Sequence, residues 1–253
     1  MVYNGIGSVP CVLHFPGTTK EQFKEFIDQF LENWDAENLK RQSQSLFYSI
    51  ITCFTPNLEY DDLLLVKQLD SLEISYVNAW DFCPNNIKEG DWNFSKKLYA
   101  YKNCLDTVSD STYDNKLGGY VLILDARDTY ILSLNIKQQF KNYKSALALF
   151  NGTKSNYPNR YRKTAIKSDF YVYLNSGCVF GYKHYLSDIF GKAIDLVENN
   201  EFFKTFADDQ LILQEIQQQE ENHIRVDEHC HLFQIINDLS NKELINPKDV
   251  IIK

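Results

Sequence analysis

Asp125 and Asp128 stand three apart in the stretch YVLILDARDTYIL, residues 120–132. Tyr120 to Leu124 form an apolar, β-branched run that ends abruptly in the charged turn Asp125-Ala126-Arg127-Asp128. A short apolar run bounded by polar residues reads as a strand buried on both faces. In open α/β sheets, ligands bind at the carboxyl ends of such strands. Two carboxylates on one turn at that edge can converge on a hard cation, and the cation can neutralise the phosphates of a nucleotide. The competing reading is that Asp125 caps the turn and Asp128 pairs with Arg127, because acidic residues are common at strand ends.

Other residues invite a chemical reading. His229, Cys230 and His231 look like metal ligands, but adjacent residues on a strand point to opposite faces. They do not readily share one ion, and a non-ligating role is the better account. Residues 151–168 hold Lys154, Arg160, Arg162, Lys163 and Lys167 in an otherwise acidic chain. A long segment without apolar period is either functional or mobile. It reads as a lid over a phosphate-bearing ligand, or as a merely solvated loop. The six cysteines make no C-x-x-C pair and sit mostly in apolar stretches, so they read as reduced, buried thiols, with disulfides the alternative that their even number leaves open.

These residues need a frame. Residues 9–14, 47–54 and 73–78 read as strands, as does the central run at 120–124. Helical spacing marks 19–34, 58–69, 96–108, 136–150, 184–199 and 207–220. Residues 82–95 read as a loop. Residues 169–182 show two apolar runs around Asn175-Ser176-Gly177, and 223–236 alternate apolar and polar. Strands alternating with helices predict an α/β fold, a mostly parallel sheet with helices on both faces. No repeat and no break in composition divides the 253 residues, so a single domain is expected.

Composition narrows the function. The net charge of −8 argues against a nucleic-acid surface. No apolar run reaches the roughly eighteen residues of a membrane span. The opening MVYNGIGSVP lacks the basic-then-apolar order of a signal peptide, so a cytoplasmic protein is expected.

The segments FYSIITCF, KKLYAYKNCL, VLILDARD, LNSGCVFGY, ADDQ and VDEHCHLFQ follow one another between residues 47 and 234. In that order they resemble the GT-A (Rossmann-like) glycosyltransferase domain of procollagen lysyl hydroxylases and the related collagen sugar transferases. The shared features are a strand ending in D-x-x-D, an L-N-S-G segment, an Asp run ending in D-D-Q-L, and an L-D-x-x-C/S-x-I-F-Q segment. The resemblance implies sugar transfer from a UDP-sugar, UDP-glucose or UDP-galactose, to a hydroxyl acceptor such as collagen-like hydroxylysine. It implies Mn²⁺ held by Asp125 and Asp128 under the pyrophosphate. Arg127 stands where the family often has an aromatic that stacks on uracil, and its guanidinium plane can stack differently.

The resemblance also places Thr52 and Thr55 near the uridine and Lys97 near the donor phosphates. Asn175, Ser176 and Gly177 would approach the donor sugar, with Cys178 in place of the family's second glycine. Asp208 and Asp209 would meet sugar or acceptor hydroxyls, where a carboxylate can orient or deprotonate the acceptor. Their alternative role is to favour the start of a helix.

In that family the domain finishes with a strand and H-x-N-G-x-x-K, whose histidine is the third protein ligand to the metal. Here HFPGTTK, residues 14–20, lies near the start of the chain instead. Joining PKDVIIK to MVYNGIGSVPCVLHFPGTTK restores the family order, so a circular permutation is expected, with residues 1–35 matching the family's C-terminal segment. His14 would be the third metal ligand, with Gly17 and Lys20 near the pyrophosphate; Pro16 replaces the family's Asn. The chain's ends should then lie side by side. Alternatively, His14 serves a neighbouring copy or is an ordinary strand-end residue. Two other functions stay open: a non-catalytic nucleotide-sugar-binding module, and a metal-dependent phosphohydrolase.

Overall fold

The fold is described from a computed structural model over residues 10–16, 36–89, 92–108, 119–154, 171–219 and 223–235. The strands are β1 (Val12–His14), β2 (Tyr48–Cys53), β3 (Val77–Asn78), β4 (Tyr120–Asp125), β5 (Thr129–Ile131), β6 (Ala148–Thr153), β7 (Tyr173–Tyr182), β8 (Ile224–Val226) and β9 (Phe233–Ile235). The helices are α1 (Ala36–Ser43), α2 (Leu64–Ser71), α3 (Asn85–Lys88), α4 (Lys96–Thr107), α5 (Ile136–Phe140), α6 (Lys183–Asn199), α7 (Glu201–Phe206) and α8 (Asp209–Gln219).

Six strands make the larger sheet, in the order β3-β2-β4-β7-β6-β8. β4 carries the run VLIL, and its side chains alternate between two cores as a strand's must. Val121 and Ile123 pack with Ile51 beneath α4, α6 and α8, against Leu98, Leu186 and Ile212. Leu122 and Leu124 pack on the opposite face with Ile50, Leu65 and Leu69 of α2, and Ile136 of α5. Both faces of β4 are therefore buried, and helices cover both, as the apolar run requires.

The mostly parallel sheet expected from the sequence is corrected to a mixed one. β2 is parallel to β3 and β4, and β6 to β8, but β7 runs antiparallel to both β4 and β6. A strand buried on both faces shows the same apolar run whichever way it points, so periodicity carries no direction. Asn175-Ser176-Gly177 is likewise not a break between two runs but part of one ten-residue strand.

Helix 136–150 is corrected too. The helix stops at Phe140, Ser145 turns with φ 68°, and Ala148–Thr153 form a fully buried strand. Periodicity alone cannot separate a short buried strand from a buried helix segment, and ALALF is such a run. At 58–69 a 3₁₀ turn, Tyr60–Asp62, precedes the helix, and the 82–95 stretch contains α3.

A second sheet of three strands, β5-β1-β9, lies beside the first. β1 is antiparallel to β5 and parallel to β9, so Val12 faces Ile131 and Phe233. Gln68 of α2 closes the free edge of β5. Its side-chain Nε2 donates to the Ile131 carbonyl at 2.7 Å, and its Oε1 accepts from the Ile131 N–H at 2.8 Å. The amide thus stands in for a missing strand.

Asp227 ties β9 into place: its carboxylate accepts the backbone N–H groups of His231, Leu232 and Phe233 at 2.9, 2.7 and 2.7 Å. The Tyr143 hydroxyl donates to the same group. All six cysteines are buried and none is in a disulfide. Among the described residues no helix is long and apolar enough to cross a membrane. The helix expected at 19–34, the basic segment beyond Lys154 and both chain ends lie outside the described residues.

Candidate metal centre

β4 delivers Asp125 at its carboxyl end, beside Cys53 at the end of β2. The turn that follows is short. The Thr129 hydroxyl donates to the Asp125 carbonyl at 2.5 Å, and the Phe15 N–H donates to the Asp128 carbonyl at 2.8 Å. That second bond continues the β1–β5 ladder, in which His14 stands opposite Thr129. The ladder therefore carries the His14 ring to the aspartates. Nε2 lies 3.5 Å from Asp128 Oδ1 and 3.8 Å from Asp125 Oδ2.

One ligand atom from each of His14, Asp125 and Asp128 lies within 4.8 Å of the others. His14 is buried at 2% exposure, whereas the aspartate side chains keep 22% and 27%. His14 Nε2 is a buried nitrogen with no hydrogen-bond partner, aimed at two carboxylates. An orphaned donor atom of this kind is costly, and a cation between the three groups would satisfy it. One imidazole and two carboxylates form a mixed nitrogen–oxygen donor set that fits a divalent ion. The group could hold a metal ion.

The surrounding charges fit that reading. Burial disfavours an imidazolium at His14, but Asp128 and then Asp125 outweigh it and raise its pKa above the ordinary value. Burial alone would raise the Asp128 pKa; His14 and Lys97 bring it below the usual carboxylate range. Lys97 Nζ donates to Asp125 Oδ1 at 2.6 Å. Despite its burial, Lys97 is held more firmly protonated than usual by Asp125 and Asp209. Burial pushes the Asp209 carboxyl up to about 6, with Lys97 opposing and Asp125 and Asp208 adding to the rise.

A cavity of about 740 Å³ adjoins the centre. Asp125, Arg127, Asp128 and Lys97 line it together with Thr55 and the aromatic residues Trp80, Trp92 and Phe94. The Trp80 and Trp92 rings lie 5.3 Å apart, and Lys97 Nζ stands 5.7 Å from the centre of the Phe94 ring. A cavity of this size, apolar with a few convergent charges, matches the usual form of a small-molecule site.

The remaining sequence-expected residues are dispersed. Arg127 and Thr55 line the cavity; Arg127 Nη2 lies 3.5 Å from Asp62 Oδ2, and the Thr55 hydroxyl donates to Asn57. Thr52 is fully buried with no partner for its hydroxyl. Asn175, Ser176, Asp208 and Asp209 do not line that cavity; Asp209 interacts electrostatically with Lys97, which does. Ser176 hydrogen-bonds Asp209, and Asn175 Nδ2 donates to Gln210 Oε1 at 2.8 Å. Asp208 Oδ1 accepts the Leu211 N–H at 3.0 Å, the bond of a helix cap. Gly177 meets His14 rather than open space: a Cβ there would lie 2.1 Å from His14 Cε1. Gly17 and Lys20 lie outside the described residues.

Sequence reasoning passed over Trp80, Trp92 and Phe94, which it placed around a polar loop. Two of the chain's three tryptophans within thirteen positions were the available signal. It also passed over Asn151, which no local pattern marks. No known protein-family model matches the chain, and a search of curated proteins finds no match.

Proposed function

We propose that the protein is a metal-dependent glycosyltransferase that moves a hexose, glucose or galactose, from a UDP-sugar to a hydroxyl acceptor. The observation that carries the reading is the His14–Asp125–Asp128 group opening onto an aromatic and basic cavity of about 740 Å³ at the carboxyl ends of β2 and β4. Its wider support is the order of motifs that resembles the collagen-type sugar transferases, with the histidine ligand supplied from the start of the chain.

In this reading His14, Asp125 and Asp128 hold a divalent cation such as Mn²⁺. When bound, it supplies charge neutralisation of the pyrophosphate and of the leaving UDP. Lys97 adds a fixed positive charge beside Asp125. Arg127 offers a planar cation in the cavity wall, and Trp80 and Trp92 offer faces for a base. Asp209, with its carboxyl pushed up to about 6, is poised to take a proton from an acceptor hydroxyl near neutrality. Asp208 accepts the Leu211 N–H and Asp209 the Gln210 N–H, so it is the raised carboxyl of Asp209, not a vacant oxygen, that assigns it the proton-accepting role.

Incubation with UDP-glucose or UDP-galactose and Mn²⁺ tests the reading, with released UDP as the signal. Release that vanishes with EDTA and in Asp128→Ala is expected. UDP bound tightly but never released from either donor would instead favour a binding module. Neither binding nor release would reject the nucleotide reading altogether.

A further inference from the structure

We infer that Asn151 is a positioning residue that sets the tautomer of His14, its side-chain oxygen accepting a hydrogen bond from His14 Nδ1–H. The inference rests on the proposed metal site.

An imidazole binds a metal through the lone pair of one neutral ring nitrogen. The other nitrogen then carries the proton and needs an acceptor. At His14 the nitrogen facing the aspartates is Nε2, so Nδ1 must be the protonated one. In the structure Nδ1 lies 3.2 Å from the amide nitrogen of Asn151, Nδ2. Asn151 is fully buried and His14 nearly so.

The amide has two ends of nearly the same shape. With its nitrogen towards Nδ1, the amide would donate, and the His14 proton would be forced onto Nε2, between the two carboxylates. In that orientation, which is the one in the structure, Asn151 Oδ1 is buried without a partner, and His14 Nε2 makes no hydrogen bond to the carboxylates 3.5 and 3.8 Å away. A half-turn of the amide brings Oδ1 to Nδ1–H and frees the Nε2 lone pair for the cation. The backbone is arranged to bring this side chain in. The β6–β7 register shifts between Phe150 and Asn151, and such an irregularity re-aims a side chain. Across the ring, Gly177 leaves just the room that His14 needs.

The test measures Mn²⁺ binding to the full chain without nucleotide, comparing Asn151→Leu, Asn151→Asp, His14→Ala and Asp128→Ala. Leu keeps the volume and removes the acceptor; Asp keeps the acceptor. Asn151→Leu should weaken Mn²⁺ binding about 10- to 100-fold, and Asn151→Asp should bind within a few-fold of wild type or tighter. Asn151→Leu should have no further effect in a His14→Ala background. The ring ¹⁵N shifts of His14 in the protein loaded with diamagnetic Zn²⁺ give a second readout. With the cation bound, His14 should carry its proton on Nδ1 in the wild type and in Asn151→Asp, a readout that does not need Asn151→Leu to fold. Wild-type Mn²⁺ affinity in a folded Asn151→Leu, alongside lost affinity in Asp128→Ala, overturns the inference alone, as does a Mn²⁺ affinity in a folded Asn151→Asp that falls about 10-fold or more below wild type. Wild-type affinity in His14→Ala and Asp128→Ala together would instead refute the metal site beneath it.

Discussion

Gly177 lies against the His14 imidazole so closely that a methyl group on Gly177 would come within 2.1 Å of Cε1 and 2.6 Å of Nε2. The glycine is therefore a steric requirement of the histidine beside it. Gly177→Ala should lower stability by about 2–3 kcal/mol, the usual scale of overpacking, and weaken Mn²⁺ binding by displacing the ring. The double variant Gly177→Ala/His14→Ala removes the clash and should recover most of the stability, though not the metal. Urea denaturation of the four proteins checks this, and full additivity of the two substitutions would refute it.

Asp125 and Asp128 keep a fifth to a quarter of their side-chain surface and sit at a strand end, not in the core. Asp125→Ala or Asp128→Ala should abolish Mn²⁺-dependent UDP binding while leaving the far-ultraviolet circular dichroism spectrum unchanged. Calorimetric titration with UDP, with and without Mn²⁺, decides the matter. Wild-type affinity in both variants would remove the site.

Asp209 makes a prediction about pH. Its carboxyl stands at about 6 in the folded protein, against an ordinary value of 3.8. Between those values the folded state keeps a proton that the unfolded state has released, so stability falls as pH rises through this window. By pH 7 the burial of the charge costs on the order of 3 kcal/mol, since each tenfold change in proton affinity is worth about 1.4 kcal/mol. Asp209→Asn lacks that loss. Its stability relative to wild type should therefore rise between pH 4 and pH 7, by up to about 3 kcal/mol. A difference that stays flat across the window would show that Asp209 ionises as an ordinary carboxylate. Because Asp209 is also the proposed proton acceptor, the variant should gain stability near neutrality while losing UDP-sugar turnover.

Asp227 is far from the cavity in role but not in consequence. Its carboxylate satisfies three backbone donors of the turn before β9, and β9 flanks β1. Asp227→Ala strands those donors and should cost about 3–5 kcal/mol, given roughly 1–3 kcal/mol for each buried unsatisfied group. Mn²⁺ affinity should fall with it, because His14 is carried on β1. Thermal melting and Mn²⁺ titration of the one variant test both statements. A melting temperature equal to wild type would show that the turn is held by other contacts.

The parts of this protein that are readable along the chain are those set by neighbours in sequence. The buried strand VLIL, the aspartates at its end and the helix faces of α4, α6 and α8 follow from apolar spacing, and spacing is local. The gathering of His14 with Asp125 and Asp128 is reachable from the sequence only through a resemblance, since nothing near residue 14 points to residue 125. It is the pairing of β1 with β5 and β9 that makes them neighbours. Tertiary structure likewise decided that β7 runs against its neighbours, that 148–153 is strand rather than helix, and that Asn151 meets His14 Nδ1. It also set Gly177 against an imidazole, where the family resemblance alone implies a sugar. The physical reason is the same in each case. A strand's side-chain pattern states which residues are buried, but hydrogen-bonded partners far along the chain choose its direction, its register and therefore the atoms its side chains meet.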